Sequence, residues 1–145
     1  LTVFQEDRLF PSFDALDNIG IYPYPFVKET ALEILKKLEL GDVCDRPAAE
    51  YSGGMKRRLA IARALYGCTA LHAHKPGEPL LLIMDEPFKG LDPTLRKKVI
   101  DTVDDIVCRT GSALILVTHE SGEAVALGCE QIVLKPKRRD VNRWH

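Results

Sequence analysis

Long hydrophobic runs are missing from this chain. No stretch of 18 apolar residues occurs among its 145 positions, so nothing reads as a membrane-spanning helix. Paired cysteines are missing too: Cys44, Cys68, Cys108 and Cys129 are scattered, with no C-x-x-C, which points to free thiols in a cytosolic protein. There is little charge imbalance. A formal net charge of −1 gives no case for bulk nucleic-acid affinity. The opening residues, Leu1-Thr2-Val3-Phe4-Gln5-Glu6-Asp7, lack the basic start and apolar stretch of a signal peptide. Leu1 in place of Met implies sequence upstream. No internal repeat and no low-complexity segment is visible. A last absence concerns chemistry: the phosphate-binding loop G-x-x-x-x-G-K-[ST] occurs nowhere.

What is present suits one globular domain, 46% hydrophobic for a core and 28% charged for a surface. Thr2-Val3-Phe4 reads as the end of a strand. Tyr22-Pro23-Tyr24-Pro25 cannot be helix interior. Val27 to Leu40 repeats Ala31, Ile34, Leu35 and Leu38 at helical spacing, with Gly41 as a left-handed cap. Ser52 is the N-cap of a second helix running to about Tyr66. Leu59, Ala62 and Leu65 share a face of it with Met55, and Lys56, Arg57, Arg58 and Arg63 make much of the rest basic. Gly67 to Pro79 reads as a connecting loop.

Leu80 to Met84 is a continuous apolar run, as expected of a strand buried on both faces. Asp92-Pro93 opens a third helix with an apolar stripe, and Gly111 ends it. Ala113 to Val117 is another buried strand. Glu120 to Leu127 reads as a short helix and Gln131 to Leu134 as a last strand, followed by a basic tail from Lys135. Alternating strands and helices after Leu80 argue for a parallel sheet with crossover helices. The fold class is therefore α/β, with an α-helical sub-region before the main part of the sheet.

Ligands of such sheets sit at the carboxyl ends of the strands, where Asp85 and Glu86 fall. Hydrolysis of a phosphoanhydride needs a cation on the phosphates and a group to orient and deprotonate a water. Asp85 suits Mg2+ held through water, and Glu86 suits the attacking water. A solvated strand-end acid pair is the alternative. Ser52-Gly53-Gly54 offers backbone N–H groups at a helix N-terminus to an anion, or is simply a capped helix after a glycine turn. His119 follows the second buried strand and could contact a terminal phosphate or, with Glu86, orient the water. Its alternative is a strand-end histidine bonded to backbone. Gln5 could join the shell of the metal, or be a surface glutamine. His72-x-His74 has no third ligand nearby and reads as loop.

In fixed order the weak signals gain weight. Gln5, then Tyr51-Ser52-Gly53-Gly54-Met55-Lys56-Arg57-Arg58-Leu59-Ala60-Ile61-Ala62-Arg63-Ala64-Leu65, then Leu82-Ile83-Met84-Asp85-Glu86-Pro87, Gly90-Leu91-Asp92 and Val117-Thr118-His119-Glu120 closely resemble the ATP-binding cassette (ABC) ATPases. They match the Q-loop, signature motif, Walker B, D-loop and H-loop, over nearly the whole chain. The resemblance implies a P-loop NTPase-like sheet with the Walker A region missing. It divides the chain into a Q-loop region (1–14), a helical subdomain carrying the signature (15–66) and the C-terminal part of the α/β core (67–145).

The resemblance also implies roles. ATP and Mg2+ are the expected ligands. Glu86 is expected as general base, His119 as switch residue and Gln5 as the metal contact that transmits nucleotide state. Asp85 is the expected metal residue. Ser52, Gly53, Gly54 and Met55 would serve ATP held by a partner cassette, with Asp92 at the dimer seam. Expected partners are a second cassette, as a homodimer, a transmembrane permease subunit and, indirectly, a solute-binding protein, with no nucleic acid. The expected location is peripheral, on the cytoplasmic side of the cell membrane. Residues Leu9 to Ile19 and Gln5-Glu6-Asp7-Arg8-Leu9 are most similar to bacterial importers of the nitrate/sulfonate/taurine group. The interval from Gln5 to Ser52 leaves no room for the long coiled coils of chromosome-maintenance relatives. Tyr51, Met55, Gly90 and the long Cys68 to Pro79 segment depart from the family pattern. Without a phosphate-binding loop, the chain alone is expected to bind Mg-ATP poorly and hydrolyse it negligibly. A non-hydrolytic docking module is the alternative, and a soluble relative acting on ribosomes or DNA a third reading.

Overall fold

The computed structural model describes residues 1–133. Its sheet has three parallel strands in sequence order: β1 (Thr2–Val3), β2 (Leu81–Asp85) and β3 (Ala113–Val117). The register sets Val3 against Met84 and Asp85 against Val117. Parallel neighbours cannot be joined by a hairpin, and the crossover from β2 to β3 is the helix α4 (Pro93–Thr110). The expectation of strands buried on both faces fails. Leu82 and Met84 are fully enclosed, whereas Leu81 is 44% exposed and Ile115 and Val117 are each 50% exposed. Side chains alternate along a strand, and among the described residues only one face of the sheet is covered.

The helical sub-region consists of α1 (Ala15–Ile19), α2 (Lys28–Lys37) and the long α3 (Gly53–His74), with single 3-10 turns at Gly41–Val43 and Ala48–Glu50. Helix α3 packs against α1, α2, α4 and β1. Its middle is buried on nearly every side, from Leu59 to Cys68 with the partial exception of Arg63. The predicted end near Tyr66 is wrong, and so is the predicted loop: the helix continues to His74, with Lys75 as its cap. Thr69 to His74 contains no helix breaker. Gly67 is tolerated inside because a side chain there would meet the Tyr22 ring at 2.6 Å. His74, on the last turn, lies tilted against Tyr24, with ring centroids 5.2 Å apart.

The end of α2 also differs from expectation. The left-handed residue is Glu39, with φ 55°, and not Gly41. Leu40 N–H donates to the Leu35 carbonyl and Glu39 N–H to that of Lys36, a Schellman closure. The closure turns Leu40 into the core, where it is fully buried. Arg58 donates to the Leu38 and Glu39 carbonyls at 2.7 and 3.0 Å, so part of the supposed basic surface of α3 caps a neighbouring helix.

Helix α4 behaves as its sequence predicts. Asp92 accepts from the backbone of Thr94 and Leu95, Pro93 stands at the first helical position, and Gly111 closes the helix with φ 62°. The helix expected over Glu120 to Leu127 is α5 (Ser121–Ala126). Residues 131–133 form no strand: they join no ladder, and Ile132 and Val133 are 84% and 78% exposed. Leu134 and the basic tail lie outside the described residues. No helix among the described residues is long and apolar enough to cross a membrane.

Candidate functional site

The parallel register brings three chain segments to one rim. Val3 pairs with Met84 and Asp85 with Val117, so Phe4-Gln5, Asp85-Glu86 and Thr118-His119 leave the sheet together at its carboxyl edge. Asp85 is half-buried at the end of β2. Glu86 adopts φ 46°, a left-handed backbone that costs a non-glycine residue about 1–3 kcal/mol and is concentrated at functional sites. Its N–H donates to the Val117 carbonyl at 2.8 Å, which ties the kink to β3.

The kink turns the Glu86 side chain inward. The carboxylate is 13% exposed, and its Oε1 lies 3.2 Å from His119 Nε2. No hydrogen bond is made across that approach, and Oε1 is left buried without a partner. The His119 side chain is 95% exposed. The pair is therefore asymmetric: an enclosed acceptor with unused capacity beside an imidazole open to solvent. An unsatisfied buried carboxylate oxygen costs free energy, and a water or ligand N–H or O–H group would relieve it.

Gln5 is exposed, in a bend just after β1. Its loop is gripped from α3. Arg57 donates to the Phe4 carbonyl at 2.7 Å and also to that of Gln5, and Arg63 donates to the carbonyls of Arg8 and Asp7 at 2.9 and 3.2 Å. Arg57 Nη1 also stands 3.2 Å from Asp7 Oδ1, although that buried oxygen makes no hydrogen bond. Burial pushes the Asp7 carboxyl above its usual range, while Arg57, Lys56 and Arg63 pull it back. Burial likewise lowers the Arg63 guanidinium. Asn18, fully buried, accepts from Phe10 N–H and donates to the Phe10, Phe13 and Asp14 carbonyls, which pins the segment that follows.

Ser52 caps α3 by accepting from Met55 N–H at 3.3 Å. Ser52 and Gly53 are exposed, and a side chain at Gly53 would meet nothing within 4 Å. Gly54 faces Leu91 Cδ2, which would lie 3.9 Å from an added Cβ. The glycine turn therefore abuts the Gly90-Leu91-Asp92 segment. Gly90 has φ 79°, which explains a glycine there. The Asp92 carboxylate is occupied as the cap of α4. Among the described residues no hydrogen bond or ion pair joins Ser52, Gly53 or Gly54 to Glu86 or His119. Nor do three His, Cys, Asp or Glu side chains gather as a metal cage there, and His72 and His74 lie on the last turn of α3.

The sequence reading missed the grip of Arg57 and Arg63 and the buried acid Glu123, to which Thr118 Oγ1 donates at 2.6 Å. A basic helix face is ordinarily solvated, so only the fold could reveal its acceptors.

A protein-family model described as ABC transporter matches residues 1–89. An aliphatic sulfonates import ATP-binding protein of Bacillus subtilis is 37% identical over 144 residues, covering 97% of this chain and 52% of that protein. An Fe(3+) ions import ATP-binding protein of Brucella melitensis is 37% identical over 139 residues, covering 92% of this chain and 36% of the relative. The chain thus spans about half the length, or less, of the relatives it matches. Among solved structures, a dimeric ATP-binding cassette in a post-hydrolysis state bound to ADP and Pi superposes with a TM-score of 0.68 at 27% identity, over 86% of this chain and 54% of that one. By its family match, its sequence identity and its P-loop NTPase-type parallel sheet, the chain belongs to the ABC transporter family and has the fold of its ATP-binding cassette.

Proposed function

We propose that the chain is part of the ATP-binding and ATP-hydrolysing subunit of an ABC importer, coupling conversion of ATP to ADP and phosphate to solute movement across a membrane. The observation that carries this reading is the Glu86–His119 pair: a strained, enclosed carboxylate with an unpartnered oxygen, 3.2 Å from an imidazole nitrogen. Glu86 is the general base, and His119 orients the water and the terminal phosphate. Asp85 and Gln5 would hold Mg2+, a hard cation that ordinarily takes one or two carboxylates plus water and phosphate oxygens. Bound Mg2+ would supply neutralising charge on the phosphates.

Ser52, Gly53, Gly54 and Met55 serve ATP carried by a second cassette, with Asp92 at the seam. The open space at Gly53, where a Cβ would meet no atom of this chain, supports that role. The permease subunit docks on the helical subdomain. Phe10 and Phe13, 46% and 42% exposed with ring centroids 5.3 Å apart, stand just before that subdomain and support an apolar contact beside it. A solute-binding protein acts indirectly, and the assembly sits at the cytoplasmic side of the cell membrane. The names of the sulfonate and iron relatives favour import. The division into 1–14, 15–66 and 67–145 accompanies this reading, with α3 crossing its second boundary.

A second reading, a non-hydrolytic docking module, rests on the lack of G-x-x-x-x-G-K-[ST] in these 145 residues. ATP turnover separates the two. The protein expressed with any sequence that precedes Leu1 in its reading frame is expected to hydrolyse ATP, and Glu86→Gln to lower kcat by about 100-fold or more. Turnover that is absent from the wild-type protein, or indifferent to Glu86→Gln, would overturn the ATPase reading and favour the module. The 145-residue chain alone is expected to show negligible turnover.

A further inference from the structure

Glu123 is the most enclosed charged side chain among the described residues, 6% exposed, and the proposed reaction leaves it unused. Its Oε2 accepts from Thr118 Oγ1 at 2.6 Å, and its Oε1 lies 3.8 Å from Arg96 Nη1. The same Thr118 oxygen accepts from Glu120 N–H at 3.0 Å. One hydroxyl thus closes the turn across Thr118-His119-Glu120, and the carboxylate directs its proton. A hydroxyl carries a single proton. Aimed at Glu123, that proton leaves a lone pair free for the Glu120 amide. Arg96 also donates to the Leu91 carbonyl at 3.4 Å, while its Nε is buried without a partner.

His119 sits in the middle of that turn with its ring almost wholly in solvent. No packing can hold an exposed ring in place, so the backbone turn must do it. We propose that Glu123, braced by Arg96, is a positioning residue for His119: through the Thr118 hydroxyl it fixes the turn that holds the imidazole against the Glu86 carboxylate. The functional meaning of this brace rests on the reading of Glu86 and His119 given above. Because Arg96 also donates to the Leu91 carbonyl, the brace links the Gly90-Leu91-Asp92 segment to His119, two segments that α4 and β3 otherwise keep apart in sequence.

The test is nuclear magnetic resonance on the 145-residue chain, reading Glu120 amide exchange and the His119 ring to Glu86 side-chain Overhauser effect. Thr118→Val is expected to speed Glu120 exchange about tenfold and abolish the Overhauser effect, with exchange along α4 unchanged. Thr118→Ser, which keeps the hydroxyl, should restore both. Glu123→Ala should match Thr118→Val and add nothing in that background. If Glu123→Ala does not fold, Glu123→Gln keeps the shape and exchanges a charge-assisted acceptor for a neutral one, with about threefold faster exchange expected. Glu120 exchange and the Overhauser effect at wild-type levels in the Glu123 variants would overturn the brace. So would a Glu123 effect that persists undiminished in Thr118→Val. Neither readout needs nucleotide, so failure here is separate from failure of the ATPase reading, which turnover judges.

Discussion

Arg57, one turn past the glycines of α3, donates to the Phe4 carbonyl at 2.7 Å across 53 positions of sequence. The helix that begins at Ser52 therefore holds the backbone of the Gln5 loop, and the two segments form one unit. Arg63, less than two turns further along α3, extends the grip to Asp7 and Arg8.

Removing that grip frees the backbone of the Gln5 loop from α3 and leaves the enclosed guanidinium site empty. Hydrogen bonds to charged groups contribute about 1.5–3 kcal/mol, and Arg57 is only 12% exposed. Arg57→Ala is expected to lower the free energy of unfolding in urea by about 2 kcal/mol. Arg57→Lys should recover less than half, because an ammonium cannot reproduce the planar fork. A loss below about 0.5 kcal/mol in Arg57→Ala would mean the contacts are idle.

Gly67 offers a test of close packing. An added methyl would stand 2.6 Å from Tyr22 Cζ and 2.9 Å from Leu1 Cδ2. Gly67→Ala should therefore destabilise by about 2 kcal/mol, although alanine is favoured over glycine inside a helix by about 1 kcal/mol. In a Tyr22→Leu background the penalty should shrink, and thermal unfolding of the four variants in the cycle measures the coupling.

Glu39 is held at φ 55°, which costs an L residue about 1–2 kcal/mol. Its ion pair with Lys98 is about half exposed and contributes well under 1 kcal/mol on the usual scale of surface pairs. Glu39→Gly is expected to stabilise by about 0.5–1 kcal/mol, the strain relief outweighing the lost pair. Unchanged or lower stability in denaturant would show the ion pair to be the larger effect.

Alkaline stability should follow two buried phenols. Burial pushes Tyr22 and Tyr51 up to about 12 from the usual 10.0. Between these values the unfolded chain loses phenolic protons that the folded chain keeps, so the unfolded state gains as pH rises. Stability is expected to fall from about pH 10 through about pH 12. Absorbance at alkaline pH should show Tyr22 and Tyr51 ionising late. Tyr51→Phe loses the hydrogen bond to the Val43 carbonyl and should be less stable at neutral pH, yet its alkaline loss should be smaller.

Much of the rim was legible from local signals. An apolar run ending in Asp85-Glu86 and another ending in Thr118-His119 mark strand ends, and two parallel strands in register must deliver their ends to the same side. The 3.2 Å approach of Glu86 to His119 was not legible, because it depends on the positive φ of Glu86. The error over residues 67–79 has a similar origin. Gly67 resembles a helix end in sequence, but it lies under the Tyr22 ring and the helix passes through it. Gly41 likewise looked like a cap, whereas the need to bury Leu40 placed the left-handed residue at Glu39.

By itself, the sequence determined where α3 and α4 begin, because a cap is a hydrogen bond between near neighbours: Ser52 to Met55, Asp92 to Leu95. It also determined the order of the motifs and the family they belong to. Only the tertiary structure decided which carbonyls Arg57, Arg58 and Arg63 take, which face of the sheet stays open, and that Thr118, Glu123 and Arg96 meet. Those contacts depend on how whole elements pack against one another, and no pattern within a single helix or strand specifies the partner that packing brings to it.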